Sequence, residues 1–297
     1  MDYGGPCHRA AQEATHCADP SVGKARAPKG TLACLYTNAR SLGNKQDELV
    51  LLLSAKKYDV IGKTETWWDS THDWTMGIEG YTLYRRDRVD KRGGGVALYV
   101  KESYMSLQAD VGDRHGQLET LWVKIRGEYG TGDTTVGVYY RPPTQSPELD
   151  QEFARELTEA ACSRTLVVMG DFNYPDISWE DHSAKSERSQ SFLSCVDDLY
   201  LTQEVYGPTR GKALLDPVLA TGDNLIGGLV IDGKLGDSDH ELITFTIHRK
   251  AGKSVSNMEV LDFRKAHFDK LRRLVSAALR DHDPGGGESR KSGSQPW

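Results

Sequence analysis

The sequence predicts a mixed α/β sandwich, two β-sheets packed face to face with helices outside. Three observations carry this. Short apolar runs alternate with helix-period segments through the first half of the chain, hairpin signals are interleaved among them, and several of the runs end in a polar side chain. In such a sandwich the loops at one end of both sheets converge, so polar strand tips can share one site. The 297 residues, 38% hydrophobic and 27% charged, are enough to bury a core of that kind.

Residues 1–30 are rich in Ala, Gly, Pro and charge without periodicity and read as a disordered leader. Leu32 to Tyr36 reads as a strand, and Asn38 stands at its end, where it can contact a metal ion or phosphate or cap the following helix. The cap is the simpler reading of that stretch alone. From about Lys45 to Lys56, Leu49, Leu52 and Leu53 fall at helical spacing. Tyr58 to Gly62 makes a second strand, so a βαβ-like unit separates Asn38 from Glu65, which reads as either a site carboxylate or a solvated loop residue.

Arg85, Arg86, Arg88, Lys91 and Arg92 crowd a short segment, either a solvated face or a strip contacting phosphates. Gly93-Gly94-Gly95 then opens a hairpin strand, Val96 to Val100, and lacks the spacing of a nucleotide-binding loop. Strands at Thr120 to Ile125 and Thr135 to Tyr140 follow, the second stopped by Pro142-Pro143 with Tyr140 and Arg141 at its edge. Helices are expected at about Leu149 to Cys162 and Ser189 to Leu199.

Between those helices lies the organising stretch, Leu166 to Asn173. Four apolar residues suit a strand covered on both faces, and Gly170 allows a turn or a close approach. Asp171 and Asn173, two apart, point the same way if the chain stays extended. Leu214 to Leu219 reads as a strand with Asp216 inside it, and Asp239-His240 precedes a last strand, Leu242 to Ile247. Residues 251–297 form a polar linker with a candidate helix at 259–282 and a flexible tail, leaving 31–250 as the folded domain.

The net charge of −6 argues against wrapping nucleic acid over the whole surface but allows a local basic groove. Five cysteines without CxxC spacing argue against disulfide partners and zinc. No apolar run approaches the roughly 18 residues of a membrane span, and there is no secretion signal, which points to the nucleus or cytoplasm.

Asn38, Glu65, Tyr140, Asp171, Asn173, Asp216, Asp239 and His240 form an oxygen-rich set suited to Mg²⁺, with Mn²⁺ as a substitute. Such a set matches metal-assisted phosphodiester hydrolysis. Asp171 would position or deprotonate water, Asn173 would orient it, and His240 would donate to phosphoryl oxygen with Asp216 or Asp239 holding its ring.

Thr37 to Leu42, Thr64 to Trp67, Arg85 to Arg88, Gly93 to Val100, Val138 to Pro143, Gly170 to Asn173, Pro208-Thr209-Arg210, Leu215-Asp216 and Ser238-Asp239-His240 occur in this order. The series resembles the endonuclease/exonuclease/phosphatase superfamily. Within it the chain is similar to the endonuclease domain of LINE-type (non-LTR) retrotransposons, most like the chicken-repeat clade. The resemblance covers roughly residues 32–248. It implies a four-layer sandwich and Mg²⁺-dependent nicking of double-stranded DNA, leaving a 3′-hydroxyl primer for reverse transcription. It also assigns Glu65 to the metal, Asp171 and Asn173 to the water, His240 to the phosphate with Asp216 as its partner, and Asn38, Tyr140, Thr209, Ser238 and Asp239 to supporting positions. Asn38 and Asp239 join Glu65 as candidate metal contacts, and Arg141 joins Thr209 and Ser238 near the phosphate.

Five departures accompany the resemblance, one being Ala220-Thr221 where the family usually carries Asn after the Leu-Asp strand. The chain stops soon after Leu261 to Arg264, so a reverse transcriptase is expected to be absent and the copy truncated. Lys63 is expected on the same strand face as Glu65, where pairing would compete with the metal. Pro217 would remove a ladder hydrogen bond beside Asp216, and Asp237 adds negative charge beside Asp239. The alternatives are an impaired or domesticated remnant with residual nucleic-acid binding, and a phosphatase or lipid phosphodiesterase of the same superfamily.

Overall fold

The computed structural model describes residues 30–42, 45–72, 76–89, 92–111, 116–127, 131–249 and 272–273. In chain order the elements are β1 (Thr31–Asn38), α1 (Gln46–Ala55), β2 (Val60–Thr64), β3 (Tyr81–Arg86), β4 (Val96–Lys101), β5 (Ser106–Gln108), β6 (Glu119–Ile125) and β7 (Thr134–Tyr140). There follow α2 (Pro147–Ala160), β8 (Leu166–Asp171), β9 (Ile177–Ser178), β10 (Ser183–Ala184), α3 (Glu187–Asp198), β11 (Leu201–Gln203), β12 (Val218–Thr221), β13 (Ile226–Lys234) and β14 (Glu241–His248). The chain divides into Met1–Gly252, which holds all of these, and Lys253–Trp297, of which only Arg272 and Arg273, both helical, are described. The expected leader and tail, and the rest of the candidate helix at 259–282, lie outside the described residues.

Two six-stranded mixed sheets form the body, in the orders β13-β14-β1-β2-β4-β3 and β11-β12-β8-β7-β6-β5. The parallel pairs are β1 with β2 and β7 with β8, each joined by a helical crossover. Between the sheets lies a core that includes Tyr36, Leu98, Val138, Met169, Val218 and Phe245. Helix α1 covers the outer face of the first sheet with Leu49 and Leu53 on Leu35, Ile61, Tyr99 and Leu242. Helices α2 and α3 cover the second sheet with Phe153, Leu157, Phe192 and Val196 on Tyr139, Val168, Phe172 and Leu219. The result is four layers, helix–sheet–sheet–helix.

Local chemistry explains the boundaries. The Ser146 and Ser186 hydroxyls accept from the backbone N–H groups of Leu149 and Ser189 and so cap α2 and α3. Every residue of β8 is buried, as an apolar strand between two covered faces should be. Gly170 serves close approach: a Cβ there would lie 2.0 Å from the Tyr139 carbonyl oxygen.

Three expectations need correction. Asp216 lies before β12 rather than inside a strand, so Pro217 also stands outside the ladder and removes no bond from it. The segment beginning at Tyr81 is a strand, β3, paired with β4, and not only a charged strip. Lys63 is the fourth residue of β2 and lies over the Tyr99 ring, 4.5 Å from its centroid, in the layer under α1. Glu65 has a φ of 52°, which breaks the strand alternation that would have put both side chains on one face.

Candidate functional site

The site forms where the loops after β1, β2 and β8 meet those before β12 and β14, and backbone hydrogen bonds stitch these loops together. Ala39 N–H donates to Thr64 O (2.9 Å), Ser41 N–H to Glu65 O (2.8 Å), Phe172 N–H to Leu215 O (2.9 Å) and Glu241 N–H to Thr209 O (2.8 Å). Arg40, Glu65, Trp67 and Asn173 all have positive φ, between 41° and 57°. A left-handed backbone is costly for bulky residues and tends to collect where function over-determines the structure.

At the centre, donor atoms of Asp171, Asp216 and His240 lie within 4.8 Å of one another. Asp216 Oδ2 is 2.8 Å from His240 Nδ1 and 2.6 Å from the Thr209 hydroxyl, and its Oδ1 accepts from Tyr36 Oη at 3.0 Å. His240 Nε2 is thereby turned towards Asp171 Oδ2, 3.8 Å away. Asn38 bridges two carboxylates: its Nδ2 donates to Asp171 Oδ2 (2.9 Å) and to Glu65 Oε1 (3.0 Å), while the Trp67 indole N–H donates to Glu65 Oε2 (3.1 Å). Ser238 Oγ donates to the Asn38 carbonyl at 2.7 Å and accepts from His240 N–H at 3.2 Å.

The electrostatics follow from burial. Removal from water, then the charge of Asp216, pushes the Asp171 carboxyl well above its usual range. Burial opposes charge on His240, but the Asp216 hydrogen bond and the charges of Asp216 and Asp171 outweigh it, so its pKa is raised. Burial, then the charges of Asp216 and Asp171, holds the Tyr36 phenol well above its ordinary value, so it remains a donor.

The remaining candidates fall into two groups. Tyr140, the register partner of Asp171 in β7–β8, feels both Glu65 and Asp171; burial and those charges raise its pKa. Asn173 sits next to Asp171, but its φ of 49° shows that the chain does not stay extended; its N–H donates to Asp171 Oδ1 at 3.1 Å. Asn38 caps no helix and turns N–H groups rather than its oxygen to the carboxylates; its Oδ1 accepts from Arg40 N–H.

Arg141 does not face the site. It is buried, paired through Nε and Nη2 with Asp150, and donates from Nη1 to the Asn173 carbonyl at 3.1 Å, so it fixes the loop rather than offering itself to phosphate. Asp239 Oδ2 is held by Arg210 Nε (2.8 Å) and Arg40 Nη1 (3.2 Å), while its buried Oδ1 has no hydrogen-bond partner among the described residues. Burial acts to raise the Asp239 pKa, but the two arginines outweigh it and lower it. Asp237 is drawn into an ion pair with Lys45 Nζ at 2.6 Å rather than adding bare charge.

The basic strip is largely turned inward. Arg85 pairs with Asp87, Arg86 donates to the Leu118 carbonyl, and Arg88 is bound to Glu119 over the Tyr140 ring. Arg92 is exposed and lies over the Trp67 ring, 5.6 Å from its centroid, and Lys91 lies outside the described residues. The glycine run supports this wall: a Cβ on Gly94 would fall 2.2 Å from Glu119 Oε2.

Sequence reasoning passed over Tyr36, Trp67, Arg40 and Arg210. Tyr36 was findable, since it is two residues before Asn38 on one strand and must share its face. Both arginines lie within motifs of the series, Thr37 to Leu42 and Pro208 to Arg210, but nothing local marks them as a pair, because they meet only through Asp239.

Residues 32–240 match the Endonuclease/Exonuclease/phosphatase family. Among solved structures, the endonuclease domain of TRAS1, a telomere-specific non-LTR retrotransposon, superposes with a TM-score of 0.60 at 19% identity, covering 75% of this chain and 100% of that one. The AP endonuclease LMAP of Leishmania major gives 0.57 at 15% identity, covering 74% and 88%. An AP endonuclease of Archaeoglobus fulgidus gives 0.56 at 17% identity, covering 73% and 99%. These likenesses establish the shared fold. No curated protein sequence matches the chain.

Proposed function

The chain belongs to the endonuclease/exonuclease/phosphatase family, and from that premise we propose that it is a Mg²⁺-dependent DNA endonuclease of a non-LTR retrotransposon. It would nick duplex DNA by phosphodiester hydrolysis and leave a 3′-hydroxyl primer. One observation carries the hydrolytic reading: a buried histidine clamped by Asp216 at 2.8 Å presents its free nitrogen to a second buried carboxylate, Asp171. The order of the sequence motifs and the fold shared with the TRAS1 domain support the retrotransposon assignment.

The residues present fit a hard divalent cation. Asn38 Nδ2 draws Glu65 and Asp171 together, and oxygen is the donor type that Mg²⁺ prefers. Glu65 would hold the ion, its carboxylate oriented through one hydrogen bond to each oxygen. When bound, the ion supplies neutralisation of charge on the phosphodiester and on the departing oxygen.

The chain's own groups do the rest. Asp171, with its proton affinity raised by burial, accepts a proton from the attacking water. The N–H of Asn173 fixes the Asp171 carboxylate, and its side chain would orient that water. His240, whose protonated form Asp216 favours, donates from Nε2 to a phosphoryl oxygen as negative charge grows there. Tyr36 and Thr209 hold Asp216, and Ser238 ties the Asn38 and His240 loops together.

The impaired-remnant alternative rested on Lys63 and Pro217. Lys63 is turned away from Glu65 and Pro217 lies outside the ladder, and these placements support the active reading over the remnant. The test is conversion of supercoiled plasmid to open circle by the full chain with Mg²⁺ and with EDTA. The reading expects nicks only with Mg²⁺, with ends that a DNA polymerase extends without prior repair. Failure to nick overturns the endonuclease reading, and ends that cannot be extended overturn the priming role.

A further inference from the structure

The proposed substrate is a polyanion, yet the centre of the site is acidic. Glu65, Asp171, Asp216 and Asp239 converge on it, and three of the arginines of the basic strip are engaged within the fold. Cationic groups must come from elsewhere if a duplex backbone is to settle there. Two arginines outside that strip sit at the rim. Arg40 lies two residues past Asn38, its backbone N–H held by the Asn38 side chain at 3.0 Å. Arg210 follows Thr209 and forms a β-bridge with His240.

Both guanidinium groups converge on one oxygen, Asp239 Oδ2, and their side chains are 53% and 42% exposed. Two positive charges share one negative charge, so the trio carries a net +1. Arg40 uses only Nη1 on Asp239, and Arg210 uses Nε and Nη2. Among the described residues, Nε and Nη2 of Arg40 and Nη1 of Arg210 meet no other partner. Fork-shaped donors held by a carboxylate and open to solvent match the geometry of a phosphate.

The geometry points to a phosphate clasp: Arg40 and Arg210, set by Asp239, bind a backbone phosphate of the duplex neighbouring the one that is cut. This rests on the endonuclease reading, which it deepens by naming where substrate charge is met. Asp239 then acts as a positioning residue that holds two otherwise repelling cations side by side. An isolated rim arginine would give less, since it would lose side-chain freedom on binding that Asp239 has already restricted here.

The test uses the full chain carrying Asp171→Asn, expected to bind without cutting, and a fluorescein-labelled DNA duplex titrated by anisotropy over a range of KCl. Arg40→Gln and Arg210→Gln are each expected to weaken binding roughly five- to tenfold near 100 mM salt, and to reduce the slope of log K against log salt by about 1. Arg210→Lys should keep the slope, because the charge remains. Thermal melting of each variant checks that the fold is retained. Slopes unchanged in both Gln variants, with the parent still binding and the wild type still nicking, overturn the clasp and leave the endonuclease reading intact. Reduced slopes with a wild type that never nicks do the reverse. No binding by the parent overturns both.

Discussion

Adjacent positions on β2 bury polar groups in opposite ways. Thr64 points between the sheets, where Tyr36 Oη meets its hydroxyl at 2.9 Å and joins it to the Asp216–His240–Asp171 network. Lys63 points into the layer beneath α1, fully buried, and its Nζ has no hydrogen-bond partner among the described residues. In the network each charge is met by a hydrogen bond or an opposite charge, and burial sharpens the chemistry. At Lys63 only the face of the Tyr99 ring meets the charge, and desolvation pushes the pKa well below its ordinary value. Burial by itself therefore marks no function; a connected set of partners does.

The largest expected effect lies inside the network. His240→Gln keeps a donor for Asp216 but cannot supply a proton, and nicking should fall roughly 100- to 10,000-fold while the melting transition persists. Plasmid conversion rates beside a melting curve check this. Asp216→Asn should act through pH. The His240 pKa is raised in the folded protein, so its proton is present at low pH and lost as pH rises through that raised value. Removing the Asp216 charge lowers the value, and the alkaline fall of the nicking rate should move to lower pH. A pH–rate profile whose alkaline limb does not move would break the assignment of His240 as the donor.

At the rim, Trp67→Phe removes the N–H that orients Glu65 while keeping most of the ring packing. The Mg²⁺ concentration for half-maximal nicking should rise about tenfold or more, the usual cost of losing a group that orients a metal ligand. The smallest effect on activity is expected at Lys63→Met. Nicking should be unchanged, and urea unfolding at neutral pH should show a gain of roughly 1–3 kcal/mol from removing an unpaired buried polar group.

The pH sign sharpens that contrast. The Lys63 pKa is lowered in the fold, so the unfolded chain binds the extra proton between that lowered value and 10.5. Stability of the wild type should rise with pH across this window, by at most about 1.4 kcal/mol per pH unit, and Lys63→Met should flatten the slope.

Much of this arrangement is legible without coordinates, for physical reasons. A run such as Leu166 to Met169 suits a strand covered on both faces, and polar groups at successive strand tips are brought to one end by the sandwich itself. Illegible features depend on single torsions or on meetings across the chain. A positive φ at Glu65 separates it from Lys63, and another at Asn173 turns the chain that period-2 reasoning keeps extended. Strand β13 hides behind Gly227, Gly228 and Gly233, and its pairing with β14 shifts register twice. Arg88 looks like a surface charge until Glu119, 31 residues on, arrives beside it.

The measurement that tests the central claim most directly is plasmid nicking by wild type, His240→Gln and Lys63→Met side by side, with urea unfolding of all three. The account predicts that His240→Gln is folded and silent, while Lys63→Met nicks at the wild-type rate and unfolds at higher urea. A folded His240→Gln that nicks as fast as wild type, or a folded Lys63→Met that loses nicking, would contradict it.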